Sequence, residues 1–375
     1  VALVVLVMAG LWNASADGLM DRNGTPLGSD YLALYAGGEM ALEGRAAQAY
    51  EPKAHYKVAQ SVIGSEAIGY AGYYYPPHYF VLLAPLAALP YGLSFLVWMA
   101  GSFALALWPL RSILKHKALP WLAIGFPASF VNLGHGQNGF LSTALLGGGL
   151  VLLDKRPILA GVCFGALTYK PQMGVLLPFV LLATGRLSTM ISAGVTMAGL
   201  LAVSGLVFGW DIFPAMAEMS AFARQTVMEQ GGVGWHKLQS LFTAARAYGL
   251  GVTPAYVLQA LLSLGVAVPV IALWRNREAP YALKCASLVI GTLIATPYSF
   301  DYDFVLLGLG LAFLAQHSLA QGFAPYTKII LALGFVFPIL SRPLALELHL
   351  HIAPLVLLVI FAHGLRLATN SKADT

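Results

Sequence analysis

Apolar runs of membrane-spanning length recur from one end of this chain to the other, separated by short polar links, and that one feature excludes most folds. A helix of about 20 apolar residues crosses a bilayer, and in hydrocarbon it satisfies all of its own backbone hydrogen bonds. Continuous runs, rather than alternating ten-residue segments, favour a helical bundle over a membrane barrel. The composition agrees: 58% of the 375 residues are hydrophobic, 10% are charged, and the mean hydropathy is +0.75, values that a water-soluble domain does not carry. The pattern predicts an all-α polytopic membrane protein of about eleven spans. It forms one unit, with residues 13–75 as a first outer loop and 76–366 as the helical bundle. Cys163 and Cys285 both lie in apolar runs without metal-ligand spacing and read as packing residues. The chain starts at Val1 and its first apolar run ends near Trp12, about half a span, which predicts a missing N-terminal piece rather than a cleaved signal peptide.

Basic loops are retained on the cytoplasmic side far more strongly than acidic ones. Placing the links at 111–117, 154–156, Arg186, 275–284, Lys328 and the tail from Arg366 on that side gives it 12 of the 21 basic and 3 of the 16 acidic residues. The opposite face then holds 9 and 13. This arrangement gathers the 13–75 segment, the "GHGQN" stretch, residues 211–253 and "TPYSFDYD" on the outer face. The formal charge of +5 is therefore a topology signal, and no nucleic-acid partner is implied. One odd crossing is required between residues 76 and 110, and Pro85 and Pro90 divide that run. The reading adopted is that "PPHYFVLLAPLAALP" dips into the outer leaflet without crossing.

The first outer segment carries polar residues at helical spacing. "DYLALYAGGEMALEG" puts Tyr31, Leu34, Tyr35 and Leu42 near one face with Ser29 and Asp30 at the cap position, and "EPKAHYKVAQSVIG" forms a second short helix. Both are expected to lie flat on the bilayer surface as amphipathic helices. From position alone, Asp30 is as readily a helix cap as a catalytic group.

Polar and ionisable side chains at membrane depth are costly and mark functional sites. Here they collect on the outer face: Asp30, Tyr75 and His78 in "YYYPPH", His135, Gln137 and Asn138 in "GHGQN", Lys170 in "LTYKPQMG", His236, Lys237 and Gln239 in "GWHKLQS", and Asp301 and Asp303 in "SFDYDF". Each has a plainer explanation alone: Gln137 and Asn138 as caps of the next helix, Lys170 as a snorkelling residue, His236 as an ordinary loop histidine. Their shared face argues for a site. A carboxylate, several cationic or donor groups and a tyrosine-rich rim suit a polar substrate attached to a lipid, with lysine matching phosphate and Gln and Asn matching hydroxyls. No Walker loop, dinucleotide fingerprint or HExxH motif is present. "GGG" at Gly147, Gly148 and Gly149 falls mid-span, where close helix packing explains it better than phosphate binding.

In order and spacing, "SDYLALYAGGEMALEG", "YYYPPHYFVLLAPLAALPY", "GHGQNGFLSTALLGGGLVLLDKRPILAGVCFGALTYKPQMGVLLP", "EQGGVGWHKLQS" and "ATPYSFDYDFVLL" resemble the bacterial membrane glycosyltransferases of glycosyltransferase family 87, over nearly the whole chain. The resemblance implies a type C glycosyltransferase fold in the bacterial inner membrane. It also implies a polyprenyl-phosphate-sugar donor used on the periplasmic side, mannose transfer as the leading activity, and Asp30 as general base on the acceptor hydroxyl. A glycolipid or polysaccharide is the implied acceptor. Lys170, Gln137, Asn138, His236 and Lys237 would bind the donor, while Tyr75, His78, His135, Gln239, Asp301 and Asp303 would line the site. Transfer from a sugar phosphate needs a base for the incoming hydroxyl and positive charge for the leaving phosphate. No cofactor is expected, and Asp301 with Asp303 is the one pair that leaves divalent-cation use open. Two other readings share the geometry, a transporter or flippase of lipid-linked sugars and a ligase that transfers a whole polymer between lipids. No internal repeat supports the transporter.

Overall fold

The computed structural model describes residues 18–21 and 23–370; the apolar run ending near Trp12 lies outside them. Among the described residues five helices are long and apolar enough to cross a membrane. They are α4 (Tyr91–Ile113), α10 (Leu187–Phe208), α13 (Val252–Arg275), the Asp301–Gln321 segment that ends in α15 (Val305–Gln321), and α16 (Thr327–Glu347). Apolar side chains on α10 and α13, among them Ile191, Val195, Leu261 and Val268, point outward and are more than half exposed. A protein in water would not present such bands, and the chain is embedded in a membrane.

Six shorter apolar helices of 10–17 residues accompany them, including α7 (Gly139–Leu152), α14 (Tyr281–Ala295) and α17 (Ala353–Asn370). At 1.5 Å per residue, α7 and α14 reach only about 21–23 Å of the ~30 Å hydrocarbon core. A further short helix, α8 (Pro157–Ala166), runs on through a 3₁₀ turn to Tyr169. The Asp154–Arg186 ion pair (2.6 Å) and the Tyr281 hydroxyl on the Leu150 carbonyl (2.6 Å) join their links at one end of the bundle. Their other ends stop short and leave room for a cavity. The mid-span glycines do what the sequence suggests. A Cβ on Gly147 would sit 3.0 Å from Leu309 and one on Gly148 2.6 Å from Trp108, so α7 lies against α4 and α15 at near backbone distance.

The outer segment corrects one expectation. α1 (Ser29–Leu42) is buried nearly all round, packed under α2 (Pro52–Ile63), α3 (Phe80–Ala87) and the turn at 46–50. "YLALYA" offers apolar residues in every direction, so no polar face exists to turn toward water. α2 is amphipathic, burying only His55 and Ala59. α3, eight residues and about 12 Å long, is too short to cross, and the α4 that follows Pro90 is long enough to do so.

Candidate active site

The site begins at a turn. α6 (Pro127–His135) ends on Gly136 with φ 70°; the Gly136 amide bonds the Leu133 carbonyl and the Gln137 amide the Asn132 carbonyl, a Schellman close. Asn138 holds the N-cap position of α7 but its side chain makes no capping bond; the Asn132 side chain instead accepts the Gly139 amide at 2.7 Å, so Gln137 is not used as that cap. Freed from that duty, Gln137 donates through Nε2 to Asp30 Oδ2 (3.0 Å) and accepts through Oε1 from the Tyr75 hydroxyl (3.1 Å) and the Asn138 amide (3.3 Å).

Asp30 is not the helix cap. Gly28 holds that position with φ 65° and no side-chain cap, while Ser29 and Asp30 are the first two helical residues. In the first turn the exposed N–H groups favour a negative charge. Asp30 makes no ion pair among the described residues. Its other oxygen has only the Ser29 hydroxyl, 3.5 Å away.

Two buried carboxylates stand in a different state. Asp303, fully buried, meets Lys170 Nζ at 2.5 Å and accepts the Phe300 amide at 3.0 Å. The ammonium also donates to Asn138 Oδ1 (3.0 Å) and lies 4.7 Å above the Tyr302 ring. Asp301, also fully buried, holds Arg342 Nε at 2.5 Å and takes the Tyr302 amide at 2.9 Å. Arg342 reaches from the C-terminal part of α16 and points its two terminal nitrogens at His135 Nε2, 3.3 and 3.4 Å away. The one pair that left divalent-cation use open is thus, in this geometry, two carboxylates each matched to its own cation.

These groups surround a cavity of about 840 Å³. Of the residues singled out by sequence, it brings Asp30, Tyr75, His135, Gln137, Lys170 and Lys237 together on its wall. Asn138, Asp301 and Asp303 are buried just behind them as partners of lining side chains. Three others stand apart from the wall. His78 faces the Thr168 hydroxyl at 3.3 Å. Gln239 bonds the His236 carbonyl through its side chain and the Ser299 carbonyl through its amide, tying two loops together. His236 lies on the rim, and burial, with Arg342 and Lys237 nearby, holds its imidazole below the ordinary value. The wall also contains Arg224, Tyr298 and Arg342, none of them anticipated. Arg342 did leave a signal: a lone arginine near the end of the apolar run "FVFPILSRP", where an ionisable residue is costly.

The described residues form an all-helical, membrane-embedded protein with a carboxylate and several cations around a cavity at one end of the bundle. The chain is a member of glycosyltransferase family 87, whose model matches residues 73–297, and it is accordingly a glycosyltransferase. The matched region holds Tyr75, Gln137, Lys170 and Lys237, while Asp30, Asp301, Asp303 and Arg342 lie outside it. No curated protein and no solved structure matches the chain.

Proposed function

We propose that the protein moves a hexose, most readily mannose, from a polyprenyl-phosphate carrier to a hydroxyl of a glycolipid or polysaccharide at the outer face of the bacterial plasma membrane, on a type C glycosyltransferase scaffold. One observation carries this reading. Among the described residues Asp30 is the single carboxylate on a cavity wall that also bears Lys170, Lys237, Arg224 and Arg342, and an amide rather than a cation holds it. An unpaired carboxylate is free to take a proton. In the reaction Asp30 accepts the acceptor hydroxyl's proton, the oxygen attacks the anomeric carbon, and the bond from that carbon to the phosphate oxygen breaks. The electron pair leaves with the phosphate, where Lys237 and Arg342 stabilise it. Lys170, already matched to Asp303, forms the floor beneath them. A single displacement inverts the anomeric centre.

The test is transfer of labelled mannose from synthetic polyprenyl-phosphate mannose into a glycolipid fraction by purified protein in vesicles. Label recovered on a new glycolipid supports the proposal. Label that crosses the bilayer on an unchanged carrier identifies a transporter, and transfer from a nucleotide sugar alone removes the lipid donor.

A further inference from the structure

The His135–Gly136–Gln137 turn hands two side chains in different directions, and each ends on a group that the reaction needs. Gln137 leaves the turn toward Asp30. Its Oε1 already receives two donors, the Tyr75 hydroxyl and the Asn138 amide, so the amide cannot flip and Nε2 must face the carboxylate. One Asp30 oxygen is thereby occupied, and the other is left as the proton acceptor. His135 leaves the turn toward Arg342. Its Nδ1 donates to the Val131 carbonyl at 2.8 Å, so Nε2 presents a lone pair to the guanidinium while Asp301 holds Nε from another side. A guanidinium has five N–H groups. Two partners fix its plane, and Arg342, which lines the cavity, keeps one further N–H on each terminal nitrogen for an anion.

The turn itself cannot drift. The Gly136 carbonyl accepts the Trp98 indole N–H at 3.0 Å. A Cβ at Gly136 would run into Tyr31, the residue after Asp30, and into the Phe95 ring. The φ of 70° excludes most other residues independently.

We propose that this turn is a spacer that fixes the separation between the base and the phosphate-binding cation, with Arg342 as the anion anchor, and Gln137 and His135 as positioning residues rather than substrate ligands. The inference rests on the donor reading above. It predicts a division of effects that a general structural role would not give. A 1 Å misplacement of a reacting group costs about a hundredfold in rate, and loss of a charge-assisted contact costs about ten- to a hundredfold in affinity.

The experiment measures binding of farnesyl monophosphate to the detergent-purified full chain, together with steady-state kcat and donor KM. Wild type binds the probe. Arg342→Lys keeps a charge for Asp301 but loses the planar, oriented N–H groups, and binding weakens about ten- to a hundredfold. His135→Leu weakens binding in the same direction with a smaller change in kcat, and His135→Gln, which restores an acceptor for the guanidinium, recovers it. Gln137→Leu lowers kcat about ten- to a hundredfold with binding and donor KM unchanged. Wild-type binding in Arg342→Lys, or parallel losses of kcat and binding in the His135 and Gln137 variants, overturns the spacer while leaving the donor reading intact. Failure of wild type to bind the probe overturns the donor reading and the inference with it.

Discussion

Replacing Lys170 with methionine removes the ammonium from a pair in which Lys170 is 3% exposed and Asp303 not at all. The orphaned carboxylate would keep only the Phe300 amide at Oδ2. Removing one member of a buried pair costs about 3–5 kcal/mol, because the surviving charge has neither water nor a counter-ion. Asn138 Oδ1 loses its donor and the Tyr302 ring its cation as well. Set against a typical folded-state stability of about 5–15 kcal/mol, the single variant forfeits about a fifth of the total or more. Lys170→Met/Asp303→Leu removes both charges and is expected to recover most of that loss, so the double variant is far more stable than the sum of the two single variants requires. The assay is unfolding of the four members of the cycle in detergent, followed by tryptophan fluorescence. Because Arg342 and Lys237 serve the phosphate, folded Lys170→Met molecules are expected to keep near-normal affinity for farnesyl monophosphate. Additive single variants, or a Lys170→Met protein as stable as wild type, would refute the assignment of this pair to the scaffold.

Topology is checked by cysteine labelling in a Cys163→Ala/Cys285→Ala background: in intact cells Ser61→Cys reacts with an impermeant thiol reagent and Arg277→Cys does not, both positions being exposed, and the reverse pattern would dismantle the shared outer site. His55 is fully buried and held neutral by desolvation, with one ring nitrogen on the Ala33 carbonyl at 2.9 Å and the other without a partner. Its folded value lies below the ordinary 6.5, so its contribution is present above pH 6.5 and is lost as pH falls through that lower value. Unfolding midpoints measured from pH 7.5 to 4.5 should therefore drop on acidification, and the drop should flatten in His55→Leu; an equal slope in both would contradict it. Since Asp301 and Asp303 are each matched to a cation, transfer should persist in excess EDTA, and loss of activity restored by a divalent ion would show that the carboxylates exchange partners.

The membrane class was readable from the apolar runs alone, because it follows from hydration costs that act locally along the sequence, and several of the polar residues that the sequence grouped do meet at one cavity. The role of α1 was not. A run such as "YLALYAGG" reads as amphipathic when a few positions are picked, and only the tertiary contacts show that every side is covered. Asp30 was legible as a candidate, but what separates it from a cap is that Gly28 takes the cap position and that Gln137, more than a hundred residues away in the chain, holds its carboxylate. Pairing was the least accessible level. Nothing in "TYKPQ" or "SFDYDF" states that Lys170 and Asp303 neutralise each other, and Arg342 was passed over because it stands alone at the end of a long apolar run. The partners that define a charge's role are separated here by 133 residues for Lys170–Asp303 and 41 for Arg342–Asp301.

The central claim, that Asp30 is the base of a lipid-dependent sugar transfer, is tested most directly by Asp30→Asn. Asparagine has the same size, keeps an oxygen for the Gln137 amide and sits equally well in a first helical turn, but it cannot take a proton at neutral pH. Purified variant and wild type are reconstituted in vesicles and supplied with labelled polyprenyl-phosphate mannose and acceptor glycolipid. The account expects transfer to fall by about 10²–10⁴-fold, with unfolding midpoint and farnesyl monophosphate affinity close to wild type. Wild-type transfer by the Asp30→Asn protein would contradict it.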